Sequence, residues 1–317
     1  MTRVLVVGAG AMGSAMGALL AASGNETTLV DIDAAHMAAI EASGLTIRHS
    51  DGSAETHRVA RATTDPTAVG PADIVLVMTK SWATTDAVRS VGHAIGDATW
   101  VVSAQNGLGN GPRMAAAVPE SQVMAGTTTV GATPVEPGVV SVTPTVTEHT
   151  SLTQFGLPTN CADPAAAQIV ADVFTGAGMR AEVLPDVNQV VWTKAAMAGT
   201  AGCLTAVAQL TIGDMVASPE AMDTWRRMID ELFAVAAAEG VELDQDAVAD
   251  HALTTYRTVG AHWSSMAVDI RERRRTEVDA LCGEVSRLGA VHGVPTPVND
   301  TVTNLMRAIE RSWTDAD

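Results

Sequence analysis

The stretch VLVVGAGAMG, residues 4–13, decides the fold of this chain. Val4 to Val7 is an aliphatic, β-branched run ending at Gly8, the pattern of a strand buried on both faces. Gly8, Gly10 and Gly13 follow in the spacing GxGxxG. From Ala11 to Ala22 small and apolar residues continue without proline as far as Gly24, which reads as a helix and its end. The glycine hexamer alone is a weak signal; a strand before it and a helix after it make it a strong candidate for a dinucleotide-binding turn. Gly8 would permit the tight bend, Gly10 would let the backbone approach a pyrophosphate, and Gly13 would let the helix lie close on the strand. The backbone N–H groups of Ala11, Met12 and Gly13, at the positive end of the helix dipole, would then face the phosphates. The bland alternative is a glycine-rich turn that binds nothing.

Working outward, Thr27 to Val30 forms a second strand that ends at Asp31, eighteen residues after Gly13. A carboxylate there can accept hydrogen bonds from the adenosine ribose hydroxyls and would repel a 2′-phosphate. Asp33 adds a second negative charge, and residues 32–40 contain no lysine or arginine. The expected cofactor is therefore NAD, with NADP less favoured; the competing role for Asp31 is capping the next helix. Residues 34–44 read as that helix. Ile74 to Met78 is a strand leading to Lys80, and Trp100 to Ser103 is another leading to Gln105-Asn106-Gly107. Strands alternating with helical segments predict a doubly wound parallel sheet. The Thr-, Val-, Pro- and Gly-rich residues 120–160 are expected to add strands and loops to the same domain. After Pro185 the segments 188–210, 219–240, 245–260 and 263–292 are helix-compatible. The predicted class is α/β, with a Rossmann dinucleotide domain over residues 1–184 and an all-helical substrate and catalytic domain over 185–317.

Composition narrows the function. The chain has 317 residues, 47% hydrophobic and 17% charged, enough for two buried cores. A formal charge of −17 argues against nucleic acid as a partner, since phosphate backbones need clustered cations. Cys161, Cys203 and Cys282 are scattered and form no CxxC pair, which fits free thiols in a reducing compartment. No run of eighteen uninterrupted apolar residues occurs, and the first strand begins too early for a signal peptide. The expectation is a cytoplasmic protein without a membrane partner, acting on a small molecule. His251, His262 and His292 lack metal-ligand spacing, so no metal is expected. No GxSxG elbow offers a nucleophile for a hydrolase.

The C-terminal half carries two further motifs: VWTK, ending in Lys194, and HWSSMAVDIRERRRTEVDALCG, residues 262–283. With GAGAMG and the QNGLG of residues 105–109, they make the chain resemble the ketopantoate reductase (2-dehydropantoate 2-reductase) family over nearly its whole length. That resemblance implies a helical C-terminal domain and an active site in the cleft between the domains. It implies Lys194 as the catalytic lysine and Glu277 as the glutamate that contacts substrate and lysine. It implies Asn106 and Ser265 as binders of the substrate's carbonyl and carboxylate, with Asn106 also at the cofactor, and Lys80 as a lysine near the cofactor. Chemistry independently favours the first assignment. Reducing a ketone requires a proton for the developing alkoxide, and a lysine in a cleft can supply both charge and proton. Lys194 is also the only charged residue between Asp186 and Asp214. Without the resemblance, Glu277 would read as a salt-bridge partner of Arg273 or Arg274 at helical spacing. Asp269, one helical turn beyond Ser265, is expected to support that site or to pair with Arg273.

Two kinds of departure from the family stand out. Its asparagines four and eight residues after the lysine are here Ala198 and Gly202, and a third polar position falls on Ile212. These groups bind the hydroxylated end of ketopantoate, so their loss implies a roomier, more apolar wall and a changed substrate. Asp31, followed by Ile32 where NADPH-using members carry a basic residue, points to NAD. The expected activity is hydride transfer between a nicotinamide and a 2-oxo or 2-hydroxy acid, or a related secondary alcohol. The rivals are an ordinary 2-dehydropantoate 2-reductase, a β-hydroxyacid or 6-phosphogluconate type dehydrogenase, and a non-catalytic NAD(H)-binding sensor. Relatives of this kind often form homodimers.

Overall fold

The structure is a computed structural model that describes residues 1–314 except 144, 145, 148, 150, 159, 160 and 162. Its fold is α/β with a helical C-terminal region. The chain divides into two compact units: residues 1–105 with 110–187, and residues 106–109 with 188–317.

In chain order the strands of the first unit are β1 (Arg3–Val7), β2 (Glu26–Val30), β3 (Leu45–Arg48), β4 (Ala54–His57), β5 (Arg61–Thr63), β6 (Ala72–Val77), β7 (Ile95–Ser103), β8 (Val123–Thr128), β9 (Ala132–Glu136), β10 (Val139–Val142), β11 (Thr153–Gly156) and β12 (Ala181–Leu184). Eight form one sheet in the order β12-β11-β8-β7-β6-β1-β2-β5. From β5 to β8 all neighbours are parallel; β11 then joins antiparallel to β8 and parallel to β12. β1 is central, pairing Val4 with both Thr27 and Ile74. Its run of four aliphatic residues now has a cause. Val4 and Val6 enter one core with helix α1 (Ala11–Ala22), while Leu5 and Val7 enter another with Val88 of α3 (Thr84–Ser90). A strand covered on both faces needs apolar residues at every position.

Residues 120–160 contribute β8 to β11 as expected of their composition, and part of that reading falls outside the described residues. Two of these strands do not join the main sheet. β9 and β10 form a hairpin that pairs with β3 in a separate sheet, β4-β3-β10-β9, packed against α1. β4 is absent from the sequence reading for a physical reason: it is exposed along most of its length and shows no apolar alternation. Helix α2 (Ala34–Ser43) follows β2. Two further helices, α4 (Asn110–Ala115) and α5 (Pro164–Gly176), complete this unit.

The second unit holds α6 (Asn188–Lys194), α7 (Thr200–Ala208), α8 (Ile212–Ala217), α9 (Pro219–Ala238), α10 (Gln245–Val259), α11 (Ser265–Arg271), α12 (Cys282–His292) and α13 (Pro297–Thr314). α9 buries Trp225, Met228, Ile229, Leu232, Phe233 and Ala236, a 3–4 spacing that forms a single apolar face. The continuous helix 188–208 is the one helix among the described residues long and apolar enough to cross a membrane, and 61% of its apolar window is buried in protein. The expected helix over 263–292 is broken. α11 stops at Arg271, Arg273 turns left-handed at φ 52°, and α12 begins only at Cys282. Tertiary bonds hold the break open. Arg274 donates its backbone N–H to the Asp269 carbonyl at 2.8 Å, and Thr276 donates its N–H to Glu310 of α13 at 2.8 Å. The helix α13 itself lies beyond the last segment read from the sequence.

Candidate functional site

In the first unit the glycine turn shows three glycines with three distinct reasons. Gly8 has φ +93°, and a Cβ there would lie 2.4 Å from the Thr79 backbone nitrogen. At Gly13 a Cβ would lie 2.0 Å from the Gly8 carbonyl oxygen, so nothing larger permits this approach of α1 to the turn. A Cβ on Gly10 would meet no atom within 4 Å. Packing therefore explains Gly8 and Gly13 but not Gly10, which is what a close-approaching ligand predicts. Gly10 also stands at the N-cap of α1 and has no side chain to cap it. The start of this twelve-residue helix, with Ala11, Met12 and Gly13 as its first residues, suits an anion. A dinucleotide pyrophosphate fits this donor set.

At the end of β2 the capping role falls to Asp33, whose carboxylate accepts the His36 N–H at 3.0 Å. Asp31 instead accepts the Asp33 N–H at 3.0 Å. The carboxylate expected for the ribose is thus not the helix cap, and Ile32 beside it is 94% exposed. Lys80 is half-buried and follows β6 at the start of a short 3₁₀ turn, Ser81–Ala83. A residue without an individual role in the sequence reading holds this segment. Buried Gln105 donates its amide to the Thr79 carbonyl at 2.6 Å and to Thr84 at 2.9 Å, while its oxygen accepts from Ser103 at 2.7 Å. Its only sequence signal was a polar residue directly after a buried strand.

In the second unit Lys194 lies inside the helix-compatible segment 188–210. It closes α6 and leads directly into a π turn, Ala195–Gly199, which continues into α7. The wider turn changes which residues share a face: Ala198, four residues on, is exposed, while Gly199 is buried against Leu281. Tyr256 of α10 donates its hydroxyl to the Met197 carbonyl inside that turn. Lys194 is half-buried. Loss of hydration pushes its pKa down to about 8, and the Glu277 carboxylate pulls the other way. The two residues paired in the sequence expectation thus act on each other electrostatically.

Glu277 lies outside any α-helix, at the head of a single 3₁₀ turn, Val278–Ala280, so helical spacing to Arg273 or Arg274 does not apply. Arg274 pairs with buried Asp269 at 3.0 Å and also with Glu272, so of the two roles expected for Asp269 the ion pair forms with Arg274 in place of Arg273. The same 3₁₀ turn holds the Asn106 loop. Leu108 donates its N–H to the Ala280 carbonyl at 2.7 Å, and Gly107, at φ +90°, would place a Cβ 2.5 Å from that oxygen. Asn106 is exposed at the tip.

The remaining predicted residues divide. Ser264 caps α11, accepts the Ala267 N–H at 3.2 Å and lies 2.9 Å from the Thr205 hydroxyl of α7, whereas Ser265 is exposed. Gly202 is buried, and a Cβ there would lie 3.5 Å from Met266 Cγ. Met266 thus lies in ordinary van der Waals contact with that position. Ile212 is buried in the core, its N–H donating to the His262 carbonyl at 2.9 Å. Among the described residues no group of three His, Cys, Asp or Glu side chains is arranged to hold a metal ion.

Comparison with known proteins gives a consistent answer. Residues 4–154 match the family model "Ketopantoate reductase PanE/ApbA", and residues 186–310 match its C-terminal counterpart. A 2-dehydropantoate 2-reductase of Halobacterium salinarum is 34% identical over 98% of this chain and 99% of its own length. A PanE/ApbA family ketopantoate reductase from Ralstonia eutropha superposes with a TM-score of 0.87 at 31% identity, covering 98% and 99% of the two chains. D-mandelate dehydrogenase, solved with NADH and anilino(oxo)acetate, superposes with a TM-score of 0.91 at 27% identity and the same coverage.

Proposed function

The chain belongs to the ketopantoate reductase (PanE/ApbA) family, whose members are oxidoreductases acting on CH–OH groups, and on that premise we propose that it is an NAD-linked oxidoreductase of 2-oxo and 2-hydroxy acids with a substrate other than ketopantoate. The observation that carries the reading is the Lys194–Glu277 pair, a desolvated ammonium with a pKa of about 8 under the influence of a carboxylate's charge. An acid so tuned is half protonated near neutral to mildly alkaline pH, where a proton can move in either direction.

The nicotinamide, when bound, supplies or accepts the hydride. Lys194 donates the proton to the developing alkoxide in reduction and removes it in oxidation. Glu277 keeps more of the amine charged than burial alone would allow. Asn106 and Ser265 are assigned to the carbonyl and carboxylate of the acid, and Lys80 to the cofactor. NAD rather than NADP is supported by Asp31 and by the absence of any lysine or arginine over residues 32–40. A shifted substrate is supported by Ala198 and Gly202, where neither side chain can hydrogen-bond a hydroxyl, and by Met266 lying beside Gly202. The likeness to D-mandelate dehydrogenase supports an acid with an apolar or aromatic side chain. A cytoplasmic homodimer completes this reading.

The second reading, 2-dehydropantoate 2-reductase, is favoured by the name of the Halobacterium relative. Steady-state kinetics with ketopantoate, 2-oxoisovalerate and phenylglyoxylate, each with NADH and NADPH, separate the two. The proposal expects NADH and an unhydroxylated acid to give the higher kcat/KM; ketopantoate with NADPH as the best pair overturns it.

A further inference from the structure

We propose that His36 is a positioning residue for the dinucleotide turn, acting through Ser14 on the Ala9 carbonyl; the inference rests on reading residues 8–13 as that turn. Ser14 is fully buried in the first turns of α1, and its hydroxyl donates to the Ala9 carbonyl at 2.7 Å. Ala9 stands between Gly8 and Gly10. The same hydroxyl oxygen lies 2.9 Å from Nε2 of His36, and the other ring nitrogen, Nδ1, accepts the Gly138 backbone N–H at 3.0 Å.

The direction of every bond in this relay is determined. A backbone N–H can only donate, so Nδ1 carries no hydrogen, and the proton of the neutral ring sits on Nε2. That N–H donates to Ser14 Oγ, whose own hydrogen is already given to Ala9. Gly138, His36, Ser14 and Ala9 therefore form one polarised chain in which each bond strengthens the next.

The consequence for binding follows from peptide geometry. In the trans peptide joining Ala9 to Gly10, the carbonyl and the N–H point in opposite directions. Fixing the Ala9 oxygen toward Ser14 therefore aims the Gly10 N–H the other way, away from Ser14, at the residue whose Cβ position is open. His36 also lies in the first turn of α2, three residues after Asp33, whose carboxylate accepts the His36 N–H. One imidazole thereby connects the phosphate turn, the helix that follows Asp31, and the β9–β10 hairpin, whose turn residue Gly138 lies 102 positions away in sequence. No feature of the sequence around His36 announces this link.

The test is NADH binding to the purified full-length chain, followed by nucleotide fluorescence, in the wild type, His36→Phe, Ser14→Ala, the double variant and His36→Gln. His36→Phe and Ser14→Ala should each weaken NADH about tenfold, the loss expected from breaking a buried hydrogen bond to the turn. The double variant should bind no worse than either single one, because both break the same chain. His36→Gln, whose amide can still donate to Ser14, should recover part of the loss. A merely structural role would instead give additive losses that follow the thermal midpoint, with no recovery by glutamine. Unchanged affinity in both single variants, or additive losses, overturns the assignment. Failure of the wild-type chain to bind NADH or NADPH overturns the dinucleotide reading of residues 8–13, and the positioning role with it.

Discussion

The two units do their proposed work with different parts of the polypeptide. In the first, the candidate site is backbone: a bend at Gly8, an open face at Gly10 and a close approach at Gly13. In the second it is side chains, a lysine and a glutamate from distant parts of the sequence, each beside an interruption of regular helix. Lys194 stands at the entrance to a π turn, and Glu277 at the end of the break after α11. Backbone sites restrict which residues are allowed, so they leave a mark in sequence. Side-chain sites depend on where irregularities fall, and those are set by tertiary partners such as Tyr256 on Met197 and Glu310 on Thr276.

The contrast can be broken most decisively at Lys194. Lys194→Met should lower kcat by about 10²–10⁴-fold, the usual share of a positioned proton donor. NADH affinity should remain as in the wild type. Equal loss of cofactor binding, read by fluorescence titration, would show that the two sites are not separable in this way.

The glycines give the next largest effect and divide among themselves. Gly13→Ala forces a Cβ onto the Gly8 carbonyl and should cost about 1–3 kcal/mol or more by overpacking, together with dinucleotide binding. Gly10→Ala meets no neighbour, so chemical denaturation should register only the poorer helix cap, about 1 kcal/mol or less. Its NADH affinity should nonetheless fall, since the methyl would occupy the proposed phosphate approach. Equal destabilisation by both substitutions would remove the distinction between a packing glycine and a binding glycine.

The smallest expected effects concern the substrate wall. Gly202→Asn puts an amide at a buried position against Met266 and should cost about 1–3 kcal/mol in thermal or denaturant unfolding. Ala198→Asn, at an exposed position, should stay within about 0.5 kcal/mol. If the lost asparagines define the specificity change, Ala198→Asn should raise kcat/KM for ketopantoate relative to phenylglyoxylate. An unchanged ratio would place the specificity elsewhere.

Legibility in the sequence followed the same division. The helix Ala11–Ala22 and the central strand were read from residues 4–24 because two-sided burial and the turn leave few alternatives. Lys194 and Glu277 were found through a family resemblance, and the physics of the sequence alone would have left Glu277 in a surface salt bridge. Continuous helix-compatible composition over 263–292 concealed the break, because no glycine or proline marks it. Arg273 adopts a left-handed conformation that its residue type does not suggest. The π turn was equally silent, since Ala195 to Gly199 are all acceptable in an ordinary helix. β4 was missed because an exposed strand lacks the apolar alternation by which strands are recognised.

The central claim is that Lys194 moves the proton from a desolvated position tuned by Glu277, and the pH dependence of kcat/KM in both reaction directions tests it most directly. Reduction needs the ammonium and should decline as pH rises through about 8; oxidation needs the neutral amine and should increase through the same point. Burial lowers this pKa and Glu277 raises it, so Glu277→Gln should move both breaks to lower pH. Profiles in wild type and Glu277→Gln that break at the same pH, or that show no break of opposite sense in the two directions, would contradict the account.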